Sequence, residues 1–394
     1  MLASQYKAIA KTIFGAEEIL AHDLTALGAT DVQILNRAVS FTANKELLYK
    51  ANLYLATALR IIIPIHEFKA RNEDELYEGI QKVTWQKYFT EHDTFAIDSV
   101  VGSDYFNHSQ YVSLKTKDAI ADQFRERCEG VRPSVDLRHP TVRIHLHILG
   151  DVCSVALDSS GESLHKRGYR QGGQHEAPLN EVLAATLVRL TGWDGQSNFA
   201  DPMCGSGTIV TEAGLFAMNI APGLLRDYFG FKNWPDFDAA LWEKLCAEAR
   251  ERINHDWEYT LSGSDMSEKY VELAMYAAEK TGIDECVKLK TKRFEENTPP
   301  PPKGVAIFNP PYGERLMGAD RAILDLYKTI GDTLKNKYKG YDVWVLTSNM
   351  EAIKHIGLRP SRKISLYNGS LECKFLKFSI YEGSLKAKYQ AQGE

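Results

Sequence analysis

Residues 200–214 read ADPMCGSGTIVTEAG. The lead-in NFADP has the character of a short strand, two glycines turn the chain tightly, and the run from Thr208 has the makings of a helix. In open α/β sheets such a strand–turn–helix places ligands outside the carboxyl end of the strand. Two nucleotide fingerprints fail here. The pattern G-x-G-x-x-G needs glycine where Val210 stands, and no lysine follows the glycines as a phosphate loop requires. Asp201, at the strand end, would repel a pyrophosphate and suits a cationic or amino-bearing ligand.

A second acid, Asp265 in GSDMS, ends the following strand, where a carboxylate can accept both hydroxyls of a ribose. A glycine turn flanked by two strand-end acids describes a nucleoside site with a positively charged tail. S-adenosylmethionine, with its adenosine, sulfonium and amino-acid end, meets that description. Gly205 and Gly207 alone would make an ordinary strand–helix turn; the reading rests on their conjunction with Asp265 and with Asn-Pro-Pro-Tyr at residues 309–312.

Outward from the turn, strands and helices alternate. NEVLAATLVRLTGW, with Asn180 as its N-cap, precedes it. YTLSGSD, then SEKYVELAMYAAEKTG stopped by Gly282, then VKLKTKRF, GVAIFNP and YDVWVLTS follow, which predicts a mostly parallel sheet. KISLY and LECKFLKFSI bracket Asn368-Gly369, so the sheet is expected to end in an antiparallel hairpin. Four prolines at 299–302 read as a stiff surface loop.

The residues before 163 differ. GAEEILAHDLTALG puts Ile19, Leu20, Leu24 and Leu27 on one helical face, with acids first and Gly28 as the stop. With DVQIL, AVSFTA and KELLYKANLYLATAL it predicts a small helix-covered sheet over residues 1–58. Residues 59–162 repeat the α/β character. RIIIPIHEF is a strand that Pro64 places at an edge, SLKTKDAIADQFRERC is a charged helix, and TVRIHLHILGDVCSVALD is a hairpin turning at Gly150-Asp151. Arg143, His145 and His147 alternate with apolar residues; such a face could meet phosphate, and they are expected simply on the strand's solvent side. A linker with the basic-aromatic knot His165, Lys166, Arg167, Tyr169 and Arg170 opens the third part, residues 163–394. Charge beside an aromatic builds single-stranded RNA sites; a solvated linker that packs its tyrosine has the same composition.

At 394 residues, two or three domains are expected. A net charge of −5 and a pI near 6.2 argue against a globally basic nucleic-acid binder, so RNA contact must rest on local faces. Six scattered cysteines without a C-x-x-C pair argue against a disulfide framework or a zinc site, and no metal is expected. Without a signal-peptide core or a membrane-length apolar run, a cytoplasmic protein with no membrane partner is expected.

FNPPYGERL, residues 308–316, ends a buried-looking strand in two prolines. Proline lacks an N–H and holds the preceding residue extended, so the stretch is either a plain turn or a rigid arm that aims something. Aiming has a chemical use. An exocyclic amino group on a nucleobase is a poor nucleophile because its lone pair is delocalised into the ring. The side-chain oxygen of Asn309 and the backbone carbonyl of Pro310 can each accept one N–H. That favours a pyramidal nitrogen and points its lone pair at a methyl donor. Pro311 keeps the arm stiff, and Tyr312 can stack on the base. No strong general base is required before attack, and a paired base would first leave its stack.

DPMCGSGT followed by FNPPYG resembles the amino-directed class of S-adenosylmethionine-dependent methyltransferases, which have a Rossmann-like class I fold. With GESLHKRGYR, APLNEVLAA, APGL and NPPYGERL, the protein resembles, through about residue 385, the guanine-N2 half of the bacterial large-subunit ribosomal RNA methyltransferases. There a small ferredoxin-like domain and an RNA-binding THUMP domain precede the catalytic part. The resemblance implies methyl transfer from S-adenosylmethionine to guanine N2, in 23S ribosomal RNA first and transfer RNA next. A DNA adenine methylase lacks support because no target-recognition domain follows the catalytic part. A non-catalytic RNA-binding assembly factor would be free to lose Asn309–Tyr312, which is intact.

By the same resemblance, Asp201, Pro202, Cys204, Gly205, Gly207 and Thr208 line the methionine end of the cofactor, with Cys204 only a small residue in a tight turn. Asp265 holds the ribose and Met266 lies against the adenine. TKRFEEN departs from the pattern: Arg293-Phe294 stands where an acid usually reads the adenine amino group, with Glu295 and Glu296 just beyond. Either the main chain or a shifted glutamate then reads it, and Phe294 and Glu295 are expected to do so. Lys166, Arg167, Tyr169 and Arg170 are expected to contact RNA. The seven Lys/Arg of residues 359–388 form a further basic face, solvated or phosphate-binding, and Glu314 and Arg315 shape the pocket or reach RNA. The larger bacterial enzyme carries a second methyltransferase half; this chain stops after one, so that second activity is not expected.

Overall fold

The computed structural model describes residues 3–170, 179–313 and 320–380. They form two compact units. The first holds the chain up to Thr12, Ala16–Lys166 and Arg226–Glu248; the second holds Ile13–Gly15, Arg167–Leu225 and the described residues from Ala249 onward.

The first unit contains β1 (Tyr6–Lys11), α1 (Glu17–Ala26), β2 (Thr30–Leu35), β3 (Ala38–Ala43), α2 (Lys45–Tyr54), β4 (Arg60–Lys69), α3 (Glu73–Gln81), β5 (Thr94–Gly102), α4 (Ser109–Arg127), β6 (Ser134–Val135), β7 (Val142–Leu149) and β8 (Val152–Asp158). One sheet runs through all of it in the order β2-β3-β1-β4-β8-β7-β5-β6. Helix α1 buries Leu20 and Leu24 and ends before Gly28, whose φ of 95° suits a glycine stop.

Pro64 does not mark an edge, because β4 lies inside the sheet between β1 and β8. Strand β1 runs beside only Arg60–Ile62, and the register against β8 shifts between Pro64 and His66. The proline therefore sits at a bulge, where its missing N–H breaks little of the ladder. Arg143 and His145 also differ from the expectation: both are buried. Interior strand β7 pairs its polar groups with neighbours. Arg143 donates to Asp98 (3.3 Å) and to the C=O of Leu137 (2.7 Å). His145 Nε2 lies 2.8 Å from Lys11 Nζ. Burial, helped by Lys11 and Arg60, pushes His145 down to about 3, so its neutral ring accepts from the ammonium.

The second unit contains α5 (Glu181–Leu190), β9 (Asn198–Asp201), α6 (Thr208–Ala217), the end of α7 (Ala239–Glu251), β10 (Leu261–Asp265), α8 (Glu268–Thr281), β11 (Val287–Thr291), β12 (Gly304–Phe308), α9 (Asp320–Lys337), β13 (Tyr341–Thr347), β14 (Arg362–Asn368) and β15 (Leu371–Ser379). Its sheet runs β11-β10-β9-β12-β13-β15-β14. It is parallel through β13 and antiparallel in the final hairpin. Alternate residues feed two cores, one on each face: Phe199, Ile307 and Trp344 in one, Ala200, Phe308 and Val345 in the other. Burial on both faces explains the nearly unbroken apolar run GVAIF. Asn180 caps α5 by accepting from the N–H groups of Val182 and Leu183, and Gly282 (φ 74°) stops α8.

Candidate active site

Strand order reverses at β9. From it the sequence goes to β10 on one side, and β12 pairs on the other. Ala200 lies opposite Ala306, so Asp201 and Asn309 emerge from the carboxyl ends of adjacent strands. That is the crevice in which open α/β sheets bind ligands.

The turn after β9 is specified by its glycines. Gly205 and Gly207 have φ of 51° and 80°. A Cβ on Gly207 would sit 2.7 Å from the Ala274 methyl group, so both conformation and space demand glycine at the start of α6. Cys204 N–H donates to the C=O of Ser264 (2.9 Å), and Gly207 N–H to that of Cys204 (2.8 Å). The Ser264 hydroxyl reaches the C=O of Pro202 (3.3 Å). Burial pushes the Cys204 thiol well up, keeping it neutral.

Asp265 ties this turn together. Its carboxylate accepts from Gly205 N–H (3.0 Å) and Ser267 N–H (2.9 Å). About four acceptor positions belong to a carboxylate, so capacity remains for ribose hydroxyls. Asp201 is different: it is 1% exposed, and neither oxygen makes a direct hydrogen bond among the described residues. Burial first, with the Asp265 carboxylate adding to it, pushes Asp201 well above the usual carboxylate range; the N–H groups of Met203 and Val210 offset this only in part. A buried acid with no counter-charge beside it is what a sulfonium or ammonium would satisfy, so the turn fits S-adenosylmethionine. Met266, next to Asp265, is 72% exposed and can cover an adenine face.

Phe294 is buried and packs its ring on Phe308 (5.2 Å) and Tyr338 (6.0 Å). The ring is committed to the core, leaving the backbone, Glu295 and Glu296 as the polar groups of this turn. Glu295 accepts from Arg293 Nε at 2.6 Å. Asn297, which nothing in the sequence singles out, donates to the Ser264 hydroxyl (2.8 Å) and so ties this turn to the cofactor turn.

Asn309 is half-buried, and its side-chain oxygen accepts from the Tyr312 hydroxyl at 2.5 Å. The Tyr312 ring packs against the core, with Cys373 Sγ 3.8 Å from its oxygen, and burial pushes the phenol up so that it stays a donor. Tyr312, half-buried, fixes the Asn309 carboxamide. The oxygen's second lone pair stays free for an incoming N–H.

Of the expected RNA contacts, Lys166 is exposed and pairs with Glu162 (3.3 Å). Arg167 and Tyr169 are each 1% exposed. The Tyr169 hydroxyl and Arg167 Nε both reach Glu212 Oε1, at 3.0 and 3.4 Å. Arg170 donates to the Thr208 hydroxyl (2.9 Å), and its Nε lies 3.1 Å from Glu181. The knot is thus stitched onto α5 and α6 beside the cofactor turn, because two buried acids need counter-charges. Glu212, the one charged residue in TIVTEAG, is the signal that announces this. Burial outweighs Arg170 and pushes Glu181 up to about 7, since the close contact lacks hydrogen-bond geometry. Arg359, Arg362 and Lys363 are exposed, whereas Lys374 and Lys377 pair with Glu372 (2.5 Å) and Asp342 (2.8 Å). Glu314, Arg315, Lys386 and Lys388 lie outside the described residues.

The reversal of strand order, the glycine turn with its two acids and the Asn-Pro-Pro-Tyr arm define a class I S-adenosylmethionine-dependent methyltransferase. Comparison with known proteins narrows this. Residues 167–377 match the model of the RMKL-like methyltransferase domain, residues 70–158 the THUMP domain, and residues 7–62 the RlmL ferredoxin-like domain. The chain belongs to the RMKL-like methyltransferase family and is an S-adenosylmethionine-dependent RNA methyltransferase.

It is 39% identical to a Synechocystis protein named as a candidate RNA methyltransferase, over 92% of this chain and 94% of that one. It is also 39% identical to the ribosomal RNA large subunit methyltransferase K/L of Syntrophotalea carbinolica, over 92% of this chain but 52% of that one. The chain thus spans about half the length of that K/L relative. A crystal structure of SMU.472, described as a candidate methyltransferase complexed with SAH, superposes with a TM-score of 0.87 at 33% identity, covering 97% of this chain and all of that one. No described helix is long and apolar enough to cross a membrane.

Proposed function

We propose that the protein methylates the exocyclic N2 amino group of a guanine in large-subunit (23S) ribosomal RNA, in the cytoplasm. The observation that carries this reading is the pair of acceptors at the end of β12. Asn309 Oδ1 is held by Tyr312, and the C=O of Pro310 accepts no hydrogen bond among the described residues. Each takes one N–H of the guanine amino group, leaving its lone pair directed at the crevice between β9 and β12. S-adenosylmethionine supplies the methyl group, made electrophilic by the sulfonium. Asp201 balances positive charge in the buried turn, Asp265 receives the ribose, and Met266 covers the adenine. As nitrogen gains positive charge its proton becomes acidic and passes along the same hydrogen bonds to water, so no titratable base is needed.

The kinship to the ribosomal K/L enzymes supports the choice of RNA, and the THUMP region supplies the RNA-holding part. The division we propose is a ferredoxin-like part over residues 1–58, a THUMP part over 59–162 and a catalytic part from 163. The test is transfer of tritiated methyl to ribosomal and transfer RNA from cells lacking this protein, with mass spectrometry of the digested nucleosides. N2-methylguanosine in large-subunit RNA is expected. Label in transfer RNA would move the substrate and keep the chemistry. Label on adenine alone, or none, would overturn the reading.

A further inference from the structure

Two of the carbonyls in the arm are held from behind. The Tyr312 C=O accepts from Asn349 Nδ2 at 2.8 Å, and the Pro311 C=O from the Tyr327 hydroxyl at 3.4 Å. The donors belong to one connected bridge. Tyr327, in α9, lies 2.8 Å from the hydroxyl of Thr347, the last residue of β13. That hydroxyl accepts from Asn349 N–H (3.0 Å), and Asn349 Oδ1 accepts from Ala352 N–H (2.8 Å). Tyr327 and Thr347 are both 0% exposed, inside the apolar core of Phe308, Ile330 and Val345. Buried hydroxyls there are costly unless satisfied, and a fully satisfied series of them rigidifies what it joins.

We propose that Asn349 is a positioning residue of methyl transfer. Together with Tyr327 it anchors the carbonyls of Pro311 and Tyr312, and so fixes the backbone that carries the Pro310 C=O and the Asn309 carboxamide offered to the base. The inference rests on the proposed role of the arm. It explains why asparagine stands at 349: a carboxamide both donates to the Tyr312 C=O and accepts from Ala352. An aspartate would keep the second bond, lose the first and set a negative charge against a carbonyl oxygen. Loosening this hold lets the Pro310 C=O drift, and a misplacement of about 1 Å in a reacting geometry costs on the order of 100-fold in rate.

The variants to compare are Asn349→Asp and Tyr327→Phe, beside wild type. Methyl transfer to the RNA is followed at saturating S-adenosylmethionine, with cofactor affinity, melting temperature and hydrogen–deuterium exchange of the Phe308–Gly313 segment measured in parallel. For Asn349→Asp, kcat is expected to fall roughly 10- to 100-fold, with KM for RNA and cofactor affinity little changed and faster exchange at Tyr312 and Gly313. Tyr327→Phe, which removes only a hydroxyl, is expected to lower kcat less and in the same pattern, and it serves if Asn349→Asp folds poorly. Unchanged kcat in both variants, or a loss that follows cofactor affinity, overturns the proposal. A wild-type protein that methylates no guanine would instead refute the parent reading. The exchange comparison then still decides the hold on the arm: equal exchange in variant and wild type refutes it.

Discussion

Replacing Asp201 with asparagine isolates what the buried acid does. Asp201 is 1% exposed, and neither oxygen makes a direct hydrogen bond among the described residues. A charge-assisted bond to a cationic ligand contributes about 1.5–3 kcal/mol, and each 1.4 kcal/mol is about tenfold in affinity. Asp201→Asn should therefore weaken S-adenosylmethionine binding roughly 10- to 150-fold. Its pH dependence has a definite sign. Because burial raises the folded carboxyl above its ordinary range, a proton competes there with a cationic ligand further up the pH scale than at an exposed carboxylate. Wild-type affinity should rise with pH until that carboxyl ionises in the free protein, then level off; the asparagine variant should stay flat. Folding stability runs oppositely. The contribution of Asp201 is present below its unfolded value and is lost as pH rises through its folded one, so the ligand-free variant should melt no lower than wild type at neutral pH. Calorimetric titration across pH, in buffers of different ionisation heat, reads both affinity and proton release. Equal affinity in the two proteins, with no proton released, would refute the reasoning.

Arg167→Ala leaves the buried Glu212 carboxylate short of its counter-charge and should cost about 3–5 kcal/mol in urea denaturation, while RNA affinity of the folded protein holds; the reverse outcome would return Arg167 to the RNA surface. Lys166→Ala should leave stability unchanged and flatten the salt dependence of RNA binding by roughly one unit of slope; an unaltered slope would exclude Lys166 from phosphate contact. Glu181 is raised from 4.5 to about 7, so its contribution to stability is present below 4.5 and lost as pH rises toward 7. Glu181→Gln should remove that decline, of about 3 kcal/mol, and parallel stability curves for the two proteins would contradict it.

The features legible in the sequence are those written in local chemistry. Gly205, Gly207 and Asp265 mark the turn, Asn180 and Gly282 bound their helices, and Asn368-Gly369 closes the final hairpin, each through a preference acting over a few residues. What was not legible depends on distant partners. Tyr169 turns inward because Glu212 lies 43 residues away, and Asn349 matters because it meets Tyr312 across 37. Pro64 reads as an edge residue until the neighbours of β4 are known. Arg143 and His145 look solvent-facing by alternation alone, yet their partners Asp98 and Lys11 come from other strands. Residues 226–248 join the first unit although they lie within the stretch matched to the methyltransferase domain; their run of aromatics (Tyr228, Phe229, Phe231, Trp234, Phe237 and Trp242) is the local signal that sets them apart.

The most direct test of the account is the single-turnover rate of methyl transfer by Asn309→Ala and wild type on the same RNA, both saturated with S-adenosylmethionine. If Asn309 holds the amino group for attack, the variant should bind cofactor normally and transfer methyl about 100- to 1,000-fold more slowly, as expected when one preorganised hydrogen-bonding group is lost. A variant that methylates guanine N2 at the wild-type rate would contradict it.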